Sequence, residues 1–112
     1  MPTYLVTYHG GAEMPHTPEA RQQMMAAFGA WAASVGSAMI DGGAPLAAAK
    51  TVSAGRVADG QAAAAVSGYT LLRADNLDTA VKLVQAHPFL TRGGSLQVSE
   101  AVDLGGAPHG TL

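Results

Sequence analysis

The segment at residues 4–9 constrains the fold most, because it alternates strictly and is soon followed by a helix signal. In an extended chain every second residue shares a side, which separates Tyr4, Val6 and Tyr8 from Leu5, Thr7 and His9. Further on, Thr17 can accept hydrogen bonds from free backbone amides, and Pro18 fits the first helical position. The sequence therefore predicts a strand followed by a helix that packs on a sheet.

This helix is predicted to run from residue 18 to about residue 34. Its apolar residues are spaced by four, three and four, which places on one face Met24, Phe28, Trp31 and Val35. Gly36 ends the helix. Residues 41–45, Asp-Gly-Gly-Ala-Pro, are rich in turn formers and are predicted to interrupt any strand there.

Three more strand signals and a second helix signal follow. Strands are predicted within residues 46–58, with a turn or bulge around Gly55, over residues 68–72, and over residues 95–104. A cap at residues 74–76 precedes a helix that ends by Pro88. Its buried face is predicted to hold Leu77, Ala80, Val81 and Val84. Glu100 falls in the apolar phase of the last strand, where a bulge is predicted to turn it outward.

The order βαββαβ is typical of the α+β ferredoxin-like fold, a four-stranded antiparallel sheet with both helices on one face. The other face, with Tyr4, Val6 and Tyr8 or their neighbours, is left uncovered. A second copy would cover it, so we predict a homodimer with two sheets face to face. Residues 1–104 are predicted to form one domain, and residues 105–112 a flexible tail.

Composition excludes several classes of protein. A net charge of -2 gives no electrostatic reason to expect nucleic acid or an anionic membrane as partner. No cysteine is present, which excludes disulfides, thiolate metal sites and cysteine nucleophiles. The four histidines show no metal-ligand spacing, so neither a metal nor a cofactor is expected. No signal-peptide pattern precedes the first strand, and residues 22–40 are too polar for a membrane span, so a cytoplasmic protein is predicted.

Several segments, in order and spacing, resemble the YCII-related family of small dimeric α+β barrel proteins, which includes YciI-like and DGPF-like groups. They cover nearly the whole chain and comprise residues 4–8, Gly10-Gly11, Trp31 before Gly36, residues 40–46, residues 50–53, Gly68-Tyr69-Thr70, residues 74–80, His87-Pro88 and residues 93–98. The resemblance implies a ferredoxin-like protomer and a barrel-like dimer. It also implies that the chain is related to a few cofactor-free lyases or dehydrohalogenases of small aromatic compounds.

Two departures from that family concern catalysis. Residues 18–36 contain no histidine, so the helix histidine that is proposed to pair with an aspartate in YciI-type relatives is not carried over. Asp59-Gly60 matches the start of the Asp-Gly-Pro-Phe motif of a sister group, but Gln61 and Ala62 replace the proline and phenylalanine. Both losses weigh against an enzyme.

The candidate catalytic residues are Asp41 and His9. A carboxylate beside two glycines, which let a ligand approach closely, could act as a general base, but Asp41 is more typical of a turn residue. An imidazole at the end of the first strand could exchange protons near neutral pH, although an exposed structural histidine explains His9 as well. His87 precedes Pro88 at a helix C-terminus, where a cationic imidazole is favoured, and we assign it no catalytic role.

The candidate ligand-binding residues are Tyr8, Trp31 and Tyr69, which could line an apolar cavity with Phe28 or simply anchor the core. Three functions of different class follow. The first is a homodimer that binds a small, largely apolar molecule beside the sheet. The second is a cofactor-independent, lyase-like or dehydrohalogenase-like proton-transfer enzyme that uses Asp41 or His9. The third is a structural or regulatory dimer module.

Overall fold

The computed structural model describes residues 1–11, 15–61 and 65–102. Its elements are β1 (Thr3–Gly10), α1 (Pro18–Val35), β2 (Met39–Pro45), β3 (Lys50–Ser53), β4 (Arg56–Asp59), β5 (Gly68–Arg73), α2 (Leu77–Val84) and β6 (Gly94–Glu100). Two short 3-10 helices, Gly36–Ala38 and Pro88–Arg92, follow α1 and α2. The strands β2, β5, β1 and β6 form one antiparallel sheet in that order. This confirms a mixed α+β architecture with a four-stranded antiparallel sheet and is compatible with a ferredoxin-like fold.

The second strand of the sheet does not lie where the sequence pattern placed it. It is β2, which includes the glycine-rich segment that was predicted to interrupt any strand. Two register shifts against β5, on either side of Asp41, absorb the extra residues. Gly43 lies in the second shift with a φ of 74°, and a Cβ there would overlap the carbonyl oxygen of Tyr69. Only glycine fits this bulge.

Residues 50–59 form a separate hairpin of β3 and β4 instead of the predicted second strand. The turn predicted at Gly55 is confirmed, since Gly55 lies between the two strands with a φ of 71°. Val52 pairs directly with Val57, and these side chains are 75% and 63% exposed. The hairpin therefore does not contribute to the main core.

Both helices begin as the sequence predicts. Thr17 Oγ1 accepts a hydrogen bond of 3.1 Å from the Ala20 N–H group, and Asn76 Oδ1 accepts one of 2.8 Å from the Thr79 N–H group. Trp31 is buried on the inner face of α1, where the apolar stripe placed it. On α2, the prediction of a buried Leu77 is wrong, because this first residue of the helix is 45% exposed.

The core lies between the sheet and the two helices. Tyr4, Val6 and Leu72 are completely buried there, and the Trp31 indole N–H donates a 2.8 Å hydrogen bond to the Leu83 carbonyl, which ties α1 to α2. The helix-covered face thus takes Tyr4, Val6 and Tyr8, and the open face takes their neighbours, of which Leu5 is half-buried.

The last strand ends at Glu100, and the pairing of β1 with β6 runs without a break from Tyr4–Glu100 to Gly10–Gly94. The bulge predicted at Glu100 is therefore wrong, and the Tyr4 hydroxyl donates a 3.2 Å hydrogen bond to its Oε1 atom. Ala101 and Val102, which were predicted to continue this strand, lie beyond its end, and residues 103–104 and the tail over residues 105–112 lie outside the described residues. In the part of the chain that is described, no helix is long and apolar enough to cross a membrane.

Candidate functional site

A largely apolar cavity of about 870 Å³ lies beside the sheet. It is bounded by α1, the end of β1, the glycine-rich half of β2, the start of β5 and the 3-10 helix Pro88–Arg92. Its lining residues are Tyr8, Gly10, Gly11, Arg21, Met24, Met25, Phe28, residues 42–46, Ser67, Gly68, Tyr69, His87, Pro88, Phe89 and Arg92. The main segments around the cavity are held in place by the sheet or by the capped helices.

The helix α1 contributes one face to the cavity. Met24 and Phe28 are half-buried, and one turn closer to the N-terminus Arg21 lies on the same face. Because Thr17 caps the helix and Trp31 anchors it on α2, this face is fixed over the cavity. The wall consists of flexible thioethers and an aromatic ring, which adapt to irregular apolar shapes.

His87 lies at the back of the cavity among aromatic rings and is only 4% exposed. The centroid of its ring is 4.3 Å from that of Trp31, 5.0 Å from that of Tyr8 and 5.7 Å from that of Phe28. The last two contacts are edge-on. The imidazole thus joins α1, β1 and the segment after α2.

A chain of hydrogen bonds runs from this imidazole into the sheet. His87 Nε2 is 2.8 Å from Tyr8 Oη, and Tyr8 Oη is 2.7 Å from Thr70 Oγ1. The Thr70 hydroxyl in turn donates a 2.9 Å hydrogen bond to the Gly42 carbonyl. At the other end, the Phe89 N–H group donates a 2.9 Å bond to His87 Nδ1.

The two ends fix the direction of every proton in the chain. A carbonyl only accepts, so the single hydroxyl proton of Thr70 is used on Gly42, and Tyr8 must donate to Thr70. Since Nδ1 of His87 already accepts from a backbone amide, the hydrogen of the neutral ring lies on Nε2 and is donated to Tyr8. The network is complete with His87 neutral.

The electrostatics agree with this assignment. Burial lowers the pKa of His87 to about 4, since a charged ring would lose its hydration. Burial also raises the pKa of Tyr8, against a smaller lowering by the hydrogen bond with Thr70. Near neutral pH both side chains are therefore uncharged.

The predicted ligand-binding residues lie at different depths. Tyr8 and Tyr69 both border the cavity, whereas Trp31 lies behind it and contacts the bordering residues Phe28 and His87. Tyr69 pairs with Thr7, so it has the opposite strand phase from Tyr8. Of the three, Tyr8 is the one that belongs to the hydrogen-bond chain.

The predicted catalytic residues do not meet in this cavity. Asp41 is exposed, and its Oδ1 accepts a 2.8 Å hydrogen bond from the Gly43 N–H group, as expected of a turn residue. His9 has the strand phase opposite to Tyr8, with Nδ1 3.0 Å from the Ala65 carbonyl oxygen and Nε2 2.9 Å from Thr7 Oγ1. Neither residue borders the cavity, and a catalytic role for either stays a prediction.

His87 is the residue whose place the sequence analysis missed. The expectation of a cationic imidazole on the C-terminus of α2 is wrong, because α2 ends at Val84 and His87 caps the following 3-10 helix through Nδ1. The signal was present in the sequence, since His87-Pro88 repeats the cap-proline pattern of Thr17-Pro18. Its partner Tyr8, however, is far away along the chain.

Among the described residues, no group of three or more histidine, aspartate or glutamate side chains could hold a metal ion. No protein-family model matches the chain, and no curated protein matches it.

Proposed function

We propose that this chain is a cytoplasmic, homodimeric member of the YCII-related family that binds a small, largely apolar molecule in the cavity beside the sheet. One observation carries the proposal, namely a mostly apolar cavity of about 870 Å³ in which the polar groups at the back are bonded to one another. Ligand pockets of small molecules commonly have volumes of roughly 300–1,000 Å³. Because Tyr8 and His87 already have hydrogen-bond partners in the protein, an apolar ligand that forms no hydrogen bonds with them would lose little binding free energy.

The hydrogen-bond chain favours binding over catalysis. A general acid or base must change its protonation state during a reaction. The hydrogen-bond chain ends on the Gly42 carbonyl, which cannot pass a proton on. At the other end, the Nδ1 atom of His87 accepts a hydrogen bond from the Phe89 amide. The enzyme hypothesis would need Asp41 or His9, neither of which borders the cavity.

The open face of the sheet supports the homodimer. Leu5 pairs with Leu71 on this face, and both side chains are half-buried without a helix above them. A second copy would remove this apolar surface from water. Sedimentation at micromolar concentration is expected to give about twice 11.3 kDa. A mass of 11.3 kDa would contradict the dimer and leave ligand binding untouched.

Ligand binding can be tested with N-phenylnaphthylamine, an uncharged apolar probe that fluoresces when it leaves water. The single tryptophan, Trp31, contacts the cavity wall and offers a second signal, because a probe in the cavity would change its surroundings. We expect saturable binding of one probe per chain. The same titration is then repeated with two variants.

Gly42→Leu is designed to fill the cavity. A Cβ at Gly42 would meet only the Phe28 ring, at 3.9 Å, so the backbone accepts a side chain there. The matched control is Gly29→Leu on the solvent side of α1, where a Cβ meets nothing within 4 Å. We expect Gly42→Leu to lose the probe and Gly29→Leu to keep it. Equal binding by all three proteins, or no binding by the parent chain, would contradict the proposal.

A further inference from the structure

We infer that the cavity selects an amphipathic anion, an apolar body that carries one carboxylate or sulfonate group. This inference rests on the proposed function and adds the chemical class of the ligand. It comes from the order of side chains along α1, where a cationic residue at the rim precedes a purely apolar wall.

Arg21, Met24 and Phe28 follow one another on the cavity face of α1 at helical spacing. Arg21 is exposed, whereas Met24 and Phe28 are half-buried. A ligand lying along this face would therefore place one end near a guanidinium and the rest against apolar groups. This is the arrangement that suits a molecule with a charged head and an apolar body.

The Arg21 side chain is held at the rim of the cavity by a hydrogen bond to the backbone of another residue. Its Nε–H group donates a 2.7 Å hydrogen bond to the Pro15 carbonyl. That bond restricts the side chain while its two Nη groups keep the planar fork that binds a carboxylate or sulfonate through two parallel hydrogen bonds. A held arginine loses less entropy on binding than a mobile one.

The charge of the residues that line the cavity also favours an anionic ligand. Among the described residues that border the cavity there is no aspartate or glutamate, and the charged side chains are Arg21 and Arg92. Arg92 Nη1 lies 3.0 Å from Met24 Sδ and has other contacts too, so the inference depends on Arg21 and not on Arg92. With His87 neutral, an anion at the rim meets positive charge, whereas a cation would be repelled.

The test uses two probes with the same aromatic body. Anilinonaphthalene sulfonate carries one negative charge, and N-phenylnaphthylamine carries none. We expect the parent chain to bind the sulfonate at least about fivefold more tightly at low salt, as one charge-assisted contact allows. The preference should shrink as salt is added.

Arg21→Gln is expected to remove that preference by weakening the binding of the sulfonate. Arg21→Lys should restore part of it, since the charge returns without the fork. The control is Arg56→Gln in β4, which lies outside the cavity lining and should keep the full preference.

The outcomes separate the two claims. Equal affinity of the parent chain for both probes, or a preference that survives Arg21→Gln, would overturn the anion and leave apolar binding in place. Failure of the parent chain to bind the uncharged probe would overturn the proposed function, and the anion inference with it.

Discussion

Neighbouring residues of β1 differ in their burial and hydrogen-bond partners, because they lie on opposite faces of the sheet. On the helix-covered face, Tyr8 shares its hydroxyl with Thr70 and with His87, which is only 4% exposed. One residue further along β1, His9 lies in the open-face phase, with its ring nitrogens near a neighbouring hydroxyl and a loop carbonyl. The same side-chain type is thus a neutral part of a cavity wall in one place and a surface group in the other. Burial, more than residue type, decides what a histidine can do.

The largest difference is expected for two adjacent leucines of β5. Leu72 is completely buried against the helices, so Leu72→Ala should lower the free energy of unfolding by about 3 kcal/mol, through lost burial and a cavity. Leu71→Ala on the open face should cost below about 1 kcal/mol and instead weaken self-association. Urea unfolding and sedimentation measure both effects. Equal loss of stability in the two variants would show that the two faces of the sheet are equally buried.

The pH dependence of stability should come from the covered face. Between its ordinary pKa of 6.5 and its folded pKa of about 4, His87 takes up a proton when the chain unfolds and stays neutral when it is folded. Stability is therefore full above pH 6.5 and falls as pH drops towards 4, by up to about 3 kcal/mol.

Urea unfolding at several pH values across this window measures the slope. His87→Gln should remove the part of the slope that belongs to this ring. His9→Gln leaves His87 and its partners intact and is expected to keep it. Loss of the slope in His9→Gln would assign the pH dependence to the open face and contradict the prediction.

The two tyrosines at the cavity provide a smaller contrast. Tyr8→Phe removes the acceptor of the buried His87 Nε2–H group and should cost about 1 to 2 kcal/mol. Tyr69→Phe should cost under about 0.5 kcal/mol, since the Tyr69 hydroxyl is not part of the hydrogen-bond chain. Thermal unfolding of the two variants measures these costs. A larger loss of stability in Tyr69→Phe than in Tyr8→Phe would show that the hydrogen-bond chain does not stabilise the cavity.

The smallest effect is expected at Asp41. Asp41→Ala removes the acceptor of the Gly43 amide and should cost about 0.5 to 1 kcal/mol, whereas Asp41→Asn keeps an acceptor oxygen and should cost less. The measurement is the melting temperature, read together with probe binding. If Asp41→Asn kept its stability and lost the probe, Asp41 would belong to the site after all.

Local signals in the sequence were enough for much of the fold. The alternation in β1, the Thr17 cap and the spacing of Trp31 each depend on neighbours within a few residues, and the structure confirms them. The strand β2 was missed because Gly43 is locally typical of a turn, whereas its conformation is set by a bulge that brings it close to the backbone of Tyr69 on a distant strand.

The site was less predictable than the fold for the same reason. Tyr8 and Tyr69 border the cavity, and a ligand-binding role for them stays a prediction. His87 was missed because its neutrality comes from rings that α1 and β1 bring around it, which no local pattern encodes. Asp41 and His9 were selected as ionisable side chains beside two glycines or at a strand end, and neither feature reveals whether the side chain borders a cavity.

A crystal structure of the protein with bound N-phenylnaphthylamine would show directly which face of the sheet holds an apolar ligand. We expect density for the probe against Met24, Phe28 and His87, with the hydrogen bonds of Tyr8 intact. Probe density on the open face beside His9, with no probe density in the cavity under α1, would contradict ligand binding in this cavity.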